Sequence, residues 1–292
     1  MISHRERGIV LTLIPLEEIV PSLRFNPSYY EDRFLEAEKK LRKAGAGPLG
    51  RFIPEKHSDG AKGITYGQVG SRKLSTRGSV RYLQVINIRD TGIDFAVKPD
   101  RIVENSHNDP SRSRILKDDI LLTNTAFRGT DTLIGRCVVV HRDFGKLNIS
   151  QDIDRIRTDG VNPYYVGSFL KTPLGQLQML RRIHGVDSQK INFGQVRSIL
   201  IPEMRLEQQT EVERQYLQMA SCHDRAMAIK ERLLEESGIE PGQYGQAINA
   251  EAEKRPGYRK AMAEAKQRLD DLLAQLVAVI EGRQSKLKPF PE

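Results

Sequence analysis

Met262, Ala265, Leu269, Leu272, Leu276 and Val279 recur at alternating intervals of three and four residues, the period of a helix with one narrow apolar seam. Such a helix is polar over most of its surface, so it is not buried all round, yet its seam needs another helix to cover it. A second stripe precedes it in the chain: Val212, Tyr216, Met219, Cys222, Ala226, Ile229 and Leu233 are also spaced by threes and fours. Ser237-Gly238 is a natural stop for that helix, and Pro241-Gly242 and Pro256-Gly257 punctuate the link between the two. The spacing leaves open whether each seam meets the other helix of this chain, a second copy of the chain or a different protein.

Residues 1–202 follow another grammar. Tyr30, Phe34, Ala37 and Leu41 predict a helix over 27–43, ended by a turn at 45–48. Short runs rich in Ile, Val and Leu predict strands over 9–14, 64–69, 80–88, 120–123, 133–140 and 147–149. Between them lie turn-rich stretches at 70–78 and 105–114, both carrying scattered basic residues. Helices return at Asn162-Pro163, an N-cap followed by proline at the first helical position, at about 173–184, and over 193–198 behind Asn192. The expected fold is a mixed α/β domain over residues 1–202 followed by an all-α, coiled-coil region over residues 203–292.

Charge divides at the same point. Residues 203–292 hold 14 Lys and Arg against 16 Asp and Glu, whereas residues 1–202 hold 32 against 22, so the front part carries the whole positive excess. A basic globular module joined to a near-neutral helical one has the composition of a polyanion-binding domain on a protein-binding stalk. At 38% hydrophobic and 29% charged residues the chain is neither disordered nor fibrous. No apolar run approaches the ~18–20 residues needed to span a bilayer, so no membrane association is expected. The apolar run at 9–14 is too short for a secretory signal and lacks a small-residue cleavage site. Cys137 and Cys222 are the only cysteines, too few for a disulfide framework or a four-cysteine zinc site, and a reducing cytoplasm fits them.

The motifs that might carry chemistry each lack a part. The NPYY run at 162–165 is similar to the Asn-Pro-Pro-Tyr element with which amino-methyltransferases grip a flipped base. Tyrosine replaces its second proline, however, and no glycine-rich strand-to-helix turn precedes it to hold S-adenosylmethionine. A helix cap is the simpler reading. Pro99-Asp100 opens no nuclease metal site, because no carboxylate-x-Lys element follows it through residue 200. Asp118-Asp119, Asp152 and Asp154 read as solvated carboxylates at a strand start and in a polar connection. The six histidines have no ligand spacing, and the glycines at 67 and 70 fit no phosphate loop. The expectation is no catalytic residue, no metal and no cofactor.

A series of segments from 116 to 209 then points to a family. LKDDILL at 116–122, IGRCVVV at 134–140, NISQDIDRIR at 148–157 and NPYYVGSFLK at 162–171 are followed by Gly175-Gln176, Gly185, Ile191-Asn192, ILIP at 199–202 and LEQQ at 206–209. In this order, with GITYG at 63–67 ahead of them, they resemble the target-recognition domain of type I restriction-modification DNA specificity subunits. The resemblance covers about residues 60–235. It implies an α/β domain that reads double-stranded DNA, followed by a long helix that docks methyltransferase subunits. It also implies a chain with no active site of its own, which directs a methyltransferase and an ATP-driven restriction and translocating subunit in anti-phage defence. Two departures stand out. Asp118 occupies a position where the family usually has glycine, and full-length members carry two recognition domains whereas this chain has one, as a half-subunit would.

Arginine grips guanine in a bidentate manner and Gln or Asn does so with adenine, whereas lysine mostly holds phosphate. Three groups therefore qualify as DNA contacts. They are the loop with Arg72, Lys73 and Arg77; the post-strand loop with Asn124, Thr125 and Arg128; and the helix end with Gln178, Arg181, Arg182, Gln189 and Lys190. Arg112 and Arg114, in the other basic stretch, join them. For the partner or dimer helices the candidates are Val212, Tyr216, Met219, Ile229 and Leu233 with Met262, Leu269, Leu272, Leu276 and Val279. Two rival functions are a stand-alone DNA methyltransferase or nuclease, which the missing motifs disfavour, and a coiled-coil adaptor without DNA binding, which leaves the basic front part without a role.

Overall fold

The computed structural model describes residues 3–6, 9–12, 27–57, 60–68, 78–127, 134–183, 188–237 and 244–290. Its centre is a four-stranded antiparallel sheet in the order β4 (Ile64–Tyr66), β11 (Ile153–Ile156), β7 (Ile120–Thr123), β9 (Cys137–Val139). Side chains alternate across these strands and both faces are apolar. Ile120, Leu122, Cys137, Val139 and Ile156 face one core, while Leu121, Val138, Val140 and Ile153 face another. The second face is covered by a three-stranded sheet, β10 (Leu147–Ile149), β5 (Val80–Leu83) and β6 (Arg101–Ile102), in which β10 and β5 run parallel.

Helices cover the first face. The Asn162 side chain accepts from the backbone N–H groups of Tyr164 and Tyr165 and starts α2 (Pro163–Lys171), as its sequence predicts. Thr172 ends that helix and caps α3 (Pro173–Arg182) through Gly175 N–H. Asn192 and Gln195 form a reciprocal capping box on α4 (Phe193–Arg197). Ahead of these, a 3-10 turn at Pro27–Tyr30 leads into α1 (Asp32–Lys43), which buries Phe34, Leu35, Ala37 and Leu41. Three two-stranded pairings complete the α/β part: β1 (Ser3–Glu6) with β2 (Ile9–Thr12), β3 (Gly47–Pro48) with β13 (Leu200–Ile201), and β8 (Thr125–Phe127) with β12 (Ser188–Lys190).

The two apolar stripes meet each other. α5 (Leu206–Ser237) and α7 (Pro256–Ile280) run antiparallel, with α6 (Tyr244–Lys254) between them in the chain. Arg225 bonds Glu264 near one end of the pair, and Gln208 bonds the Ser285 carbonyl at the other. Val212, Tyr216 and Met219 share one core with Leu269, Leu272 and Leu276, while Met227 packs with Tyr258 and Ala261. The seams are therefore filled within the chain, the first of the three alternatives that the spacing leaves open. Partly buried Ile229, Leu233, Met262 and Val279 flank these cores.

The core that joins α5 to α7 is also the core of the sheet, so apolar packing runs across residue 202 without a break. β9 is an edge strand, and the Tyr216 hydroxyl accepts from its Val139 N–H at 2.9 Å, covering with α5 an edge that would otherwise be open. Buried Lys230 bonds Asp94, and buried His223 bonds Thr91 and the Ile93 carbonyl. A Cβ at Gly92 would lie 2.3 Å from the His223 ring, so the loop approaches α5 too closely for any other residue.

Asp118, in the position where the resemblance expects glycine, has φ +70°. That is the left-handed region in which glycine is unstrained and Asp is among the better-tolerated alternatives. Its carboxylate accepts the Tyr164 hydroxyl at 2.8 Å, which ties the strained residue to α2.

Candidate nucleic-acid interface

Register places the ends of the central strands together. Tyr66, Asp154, Leu122 and Cys137 form one row across the sheet. Just beyond that row β4 continues to Gln68, β7 continues to Asn124 and Thr125, and the 150–152 turn leads into β11. The loop holding Arg72, Lys73 and Arg77 leaves from Gln68, and Arg128 directly follows β8; these four residues lie outside the described ones. Lys190 is exposed on β12, opposite Thr125, and Gln189 sits beside it, its side chain outside the described ones. One end of one sheet thus leads on to the expected contacts Arg72, Lys73 and Arg77 and to Arg128, and has Gln189 and Lys190 beside it.

Asn124 and Thr125 hold that sheet end together. Asn124 donates to Asp154 Oδ1 at 2.5 Å and to the Gln151 carbonyl, and its own carbonyl accepts from Ile191 N–H. Thr125 donates to Asn124 Oδ1 at 2.7 Å. Both side chains are buried and engaged, so they are anchors of the β8–β12 ribbon and not base readers. Asp154 is also buried, which corrects its reading as a solvated carboxylate. Burial raises its pKa to about 7 against the bond from Asn124, and its Oδ2 has no hydrogen-bond partner among the described residues. Asp119 is likewise buried and is paired with Arg157 at 2.6 Å, its pKa raised by burial in spite of that pairing.

Beside Gln68 lies the second basic stretch. Arg112 is exposed and donates to Gln68 Oε1 at 2.9 Å, while exposed His107 lies 3.0 Å from Gln68 Nε2. Arg114, though partly exposed, is tied back to its own loop by bonds to Asn105 and to buried Asp109. Burial pushes the Asp109 pKa up, but bonds from Arg114 and Asn148 outweigh it and hold the carboxyl below its ordinary value. Arg114 therefore braces the 105–114 loop while Arg112 faces out of it. Tyr66, 50% exposed, stacks on Phe193 with ring centroids 5.7 Å apart. Tyr66, Gln68, His107 and Phe193, which lie beside these residues, carry no signal in the sequence beyond the nearness of Tyr66 and Gln68 to the basic stretch that follows.

The other three members of the helix-end group, Gln178, Arg181 and Arg182, lie elsewhere and are built into the fold. Gln178 donates to the Leu200 carbonyl and accepts from its N–H, fixing β13. Arg181 bonds the Tyr29 carbonyl and Glu38, with its guanidinium 4.1 Å from the Tyr29 ring centroid. Arg182 bonds Ser198 and the Gln178 carbonyl. All three are buried, which corrects their assignment to a DNA-facing surface.

A cavity of about 1030 Å³ lies between the 89–94 loop, α3 and the helical hairpin. Of its charged residues Arg136 pairs with Asp90 and Lys266 with Asp270. Lys171 donates to the Asp90 and Cys137 carbonyls, and burial lowers its pKa while raising that of the Cys137 thiol. The thiol is held protonated, donating to the Gly167 carbonyl, so it is no activated nucleophile. No helix among the described residues is long and apolar enough to cross a membrane.

No family model matches the chain, and no curated protein matches it. Among solved structures the chain is similar to the type I restriction-modification system S subunit from M. genitalium, with 10% identity and a TM-score of 0.40 over 65% of this chain and 43% of that one. It is also similar to the HsdS subunit from Thermoanaerobacter tengcongensis, with 14% identity and a TM-score of 0.37 over 87% of this chain and 55% of that one. The chain thus spans about half the length of these two subunits.

Proposed function

We propose that this chain is a sequence-specific double-stranded DNA-binding subunit that directs a DNA methyltransferase or restriction complex to its target. It contributes no catalytic group of its own. The observation that carries this reading is the sheet end at Gln68 and Asn124, with Gln68, His107, Arg112 and Lys190 around it. These are the side-chain types that bond base edges and phosphates. The positive excess of residues 1–202 and the order of the segments from 116 to 209 support the same reading.

In this account residues 1–202 recognise DNA, with Arg72, Lys73, Arg77, Arg112, Arg128, Gln189 and Lys190 as contacts. Residues 203–292 dock the methyltransferase subunit, and through it a restriction and translocating subunit, in cytoplasmic anti-phage defence. Because the seams are filled, docking uses the outer faces of the hairpin. Binding of the full chain to a mixed duplex pool at several salt concentrations tests the DNA arm. Log K falls with log salt at about 0.9 per neutralised phosphate if the reading holds, and salt-independent association contradicts it.

A further inference from the structure

Gln68 is fixed before any ligand arrives. Its N–H donates to the Ile149 carbonyl and its own carbonyl accepts the Tyr82 hydroxyl at 2.6 Å. The preceding Gly67 lets the strand come so close that a Cβ there would lie 1.7 Å from the Ile149 carbonyl oxygen. The side chain is oriented as firmly as the backbone. Arg112 has only donors, so the atom it approaches at 2.9 Å is the amide oxygen, which directs the NH₂ group to His107 Nε2 at 3.0 Å. An amide has two hydrogens on nitrogen and two lone pairs on oxygen. These two bonds leave one of each, which is the complement an adenine presents through N7 and its N6 amino group in the major groove.

Resting on the proposed DNA-binding reading, we infer that Gln68, braced by Arg112 and His107, is a specificity-determining residue that reads one adenine of the target. Tyr66, two residues earlier in the chain, is backed by Phe193 with ring centroids 5.7 Å apart. With one face covered and half its surface exposed, it offers an apolar wall to the methyl group of a neighbouring thymine.

The test is selection of sites from randomised duplex DNA by the full-length chain and by its variants. Gln68→Ala should keep the remainder of the wild-type motif and lose the preference for adenine at one position, on the order of 5- to 150-fold. Gln68→Glu should turn that position from adenine toward cytosine, because a carboxylate accepts from the cytosine amino group. His107→Ala, on the exposed side of the brace, should weaken preference at the same position and guards against a Gln68 variant that fails to fold. Variants that all return the wild-type motif with undiminished preference, or a change at a position that was not adenine, overturn the inference and leave the DNA-binding reading standing. A wild-type chain that retains no duplex removes that reading, and the inference with it.

Discussion

The Lys230 ammonium lies 2.5 Å from Asp94 Oδ2, with the two side chains 1% and 4% exposed. This ion pair locks the long helix α5 to the 89–98 loop, which Asp94 itself shapes by accepting from the N–H groups of Ala96 and Val97. Removing Lys230 leaves the buried Asp94 charge with only the longer 3.6 Å pairing to Arg89 and its two backbone N–H donors. Lys230→Met should therefore cost about 3–5 kcal/mol, and adding Asp94→Asn should recover a large part of it. Urea unfolding of the single and double variants measures both effects.

Two buried groups set opposite pH dependences. His223 donates from Nε2 to the Ile93 carbonyl and burial lowers its pKa below 6.5, so the unfolded chain takes up the proton first as pH falls. Its contribution is present above pH 6.5 and is lost below it. Asp154, raised by burial to about 7, keeps its proton in the fold after the unfolded chain has released it, so its contribution declines between pH 3.8 and about 7. Between pH 5 and 6.5 the two slopes, each at most about 1.4 kcal/mol per pH unit, oppose each other. Asp154→Asn should leave stability rising with pH across that window, and His223→Gln should leave it falling. Thermal melts at half-unit pH steps read the sign of each slope.

Much of the scaffold is legible in the chain. Asn162-Pro163 and Asn192 cap the helices they announce, and the strands at 120–123 and 147–149 match the apolar runs that predict them. The 80–88 run shortens to Val80–Leu83 before a 3-10 turn, and the 133–140 run to Cys137–Val139. β11 is hidden because Asp154 and Arg155 interrupt its apolar pattern, and the groups that make them tolerable, Asn124 and the Lys62 carbonyl, are far away in sequence. The seams predict that a partner helix exists, but a period carries no information on which helix it is. For the proposed site, residue type singles out Arg112 and Lys190, which the fold leaves exposed, whereas Gln178, Arg181 and Arg182 are buried because their partners, Leu200, Tyr29 and Ser198, lie elsewhere in the sequence.

That distinction is testable. Arg182→Ala removes bonds to Ser198 and the Gln178 carbonyl inside the fold, so it should cost about 1–3 kcal/mol of stability and leave the selected DNA motif unchanged. Arg128→Ala should do the reverse, costing about 1–3 kcal/mol of binding at the target and relaxing one base position. Lys73→Ala should weaken binding to all sequences alike. Melting curves and binding curves on the same three preparations separate these outcomes.

Selection from a randomised duplex library by the purified full-length chain, repeated at rising salt, tests the central claim most directly. The account predicts recovery of one defined sequence motif, with affinity for it falling as salt rises while its preference over unrelated duplexes persists. A recovered pool with the composition of the starting library, or no duplex retained at low salt, would contradict it.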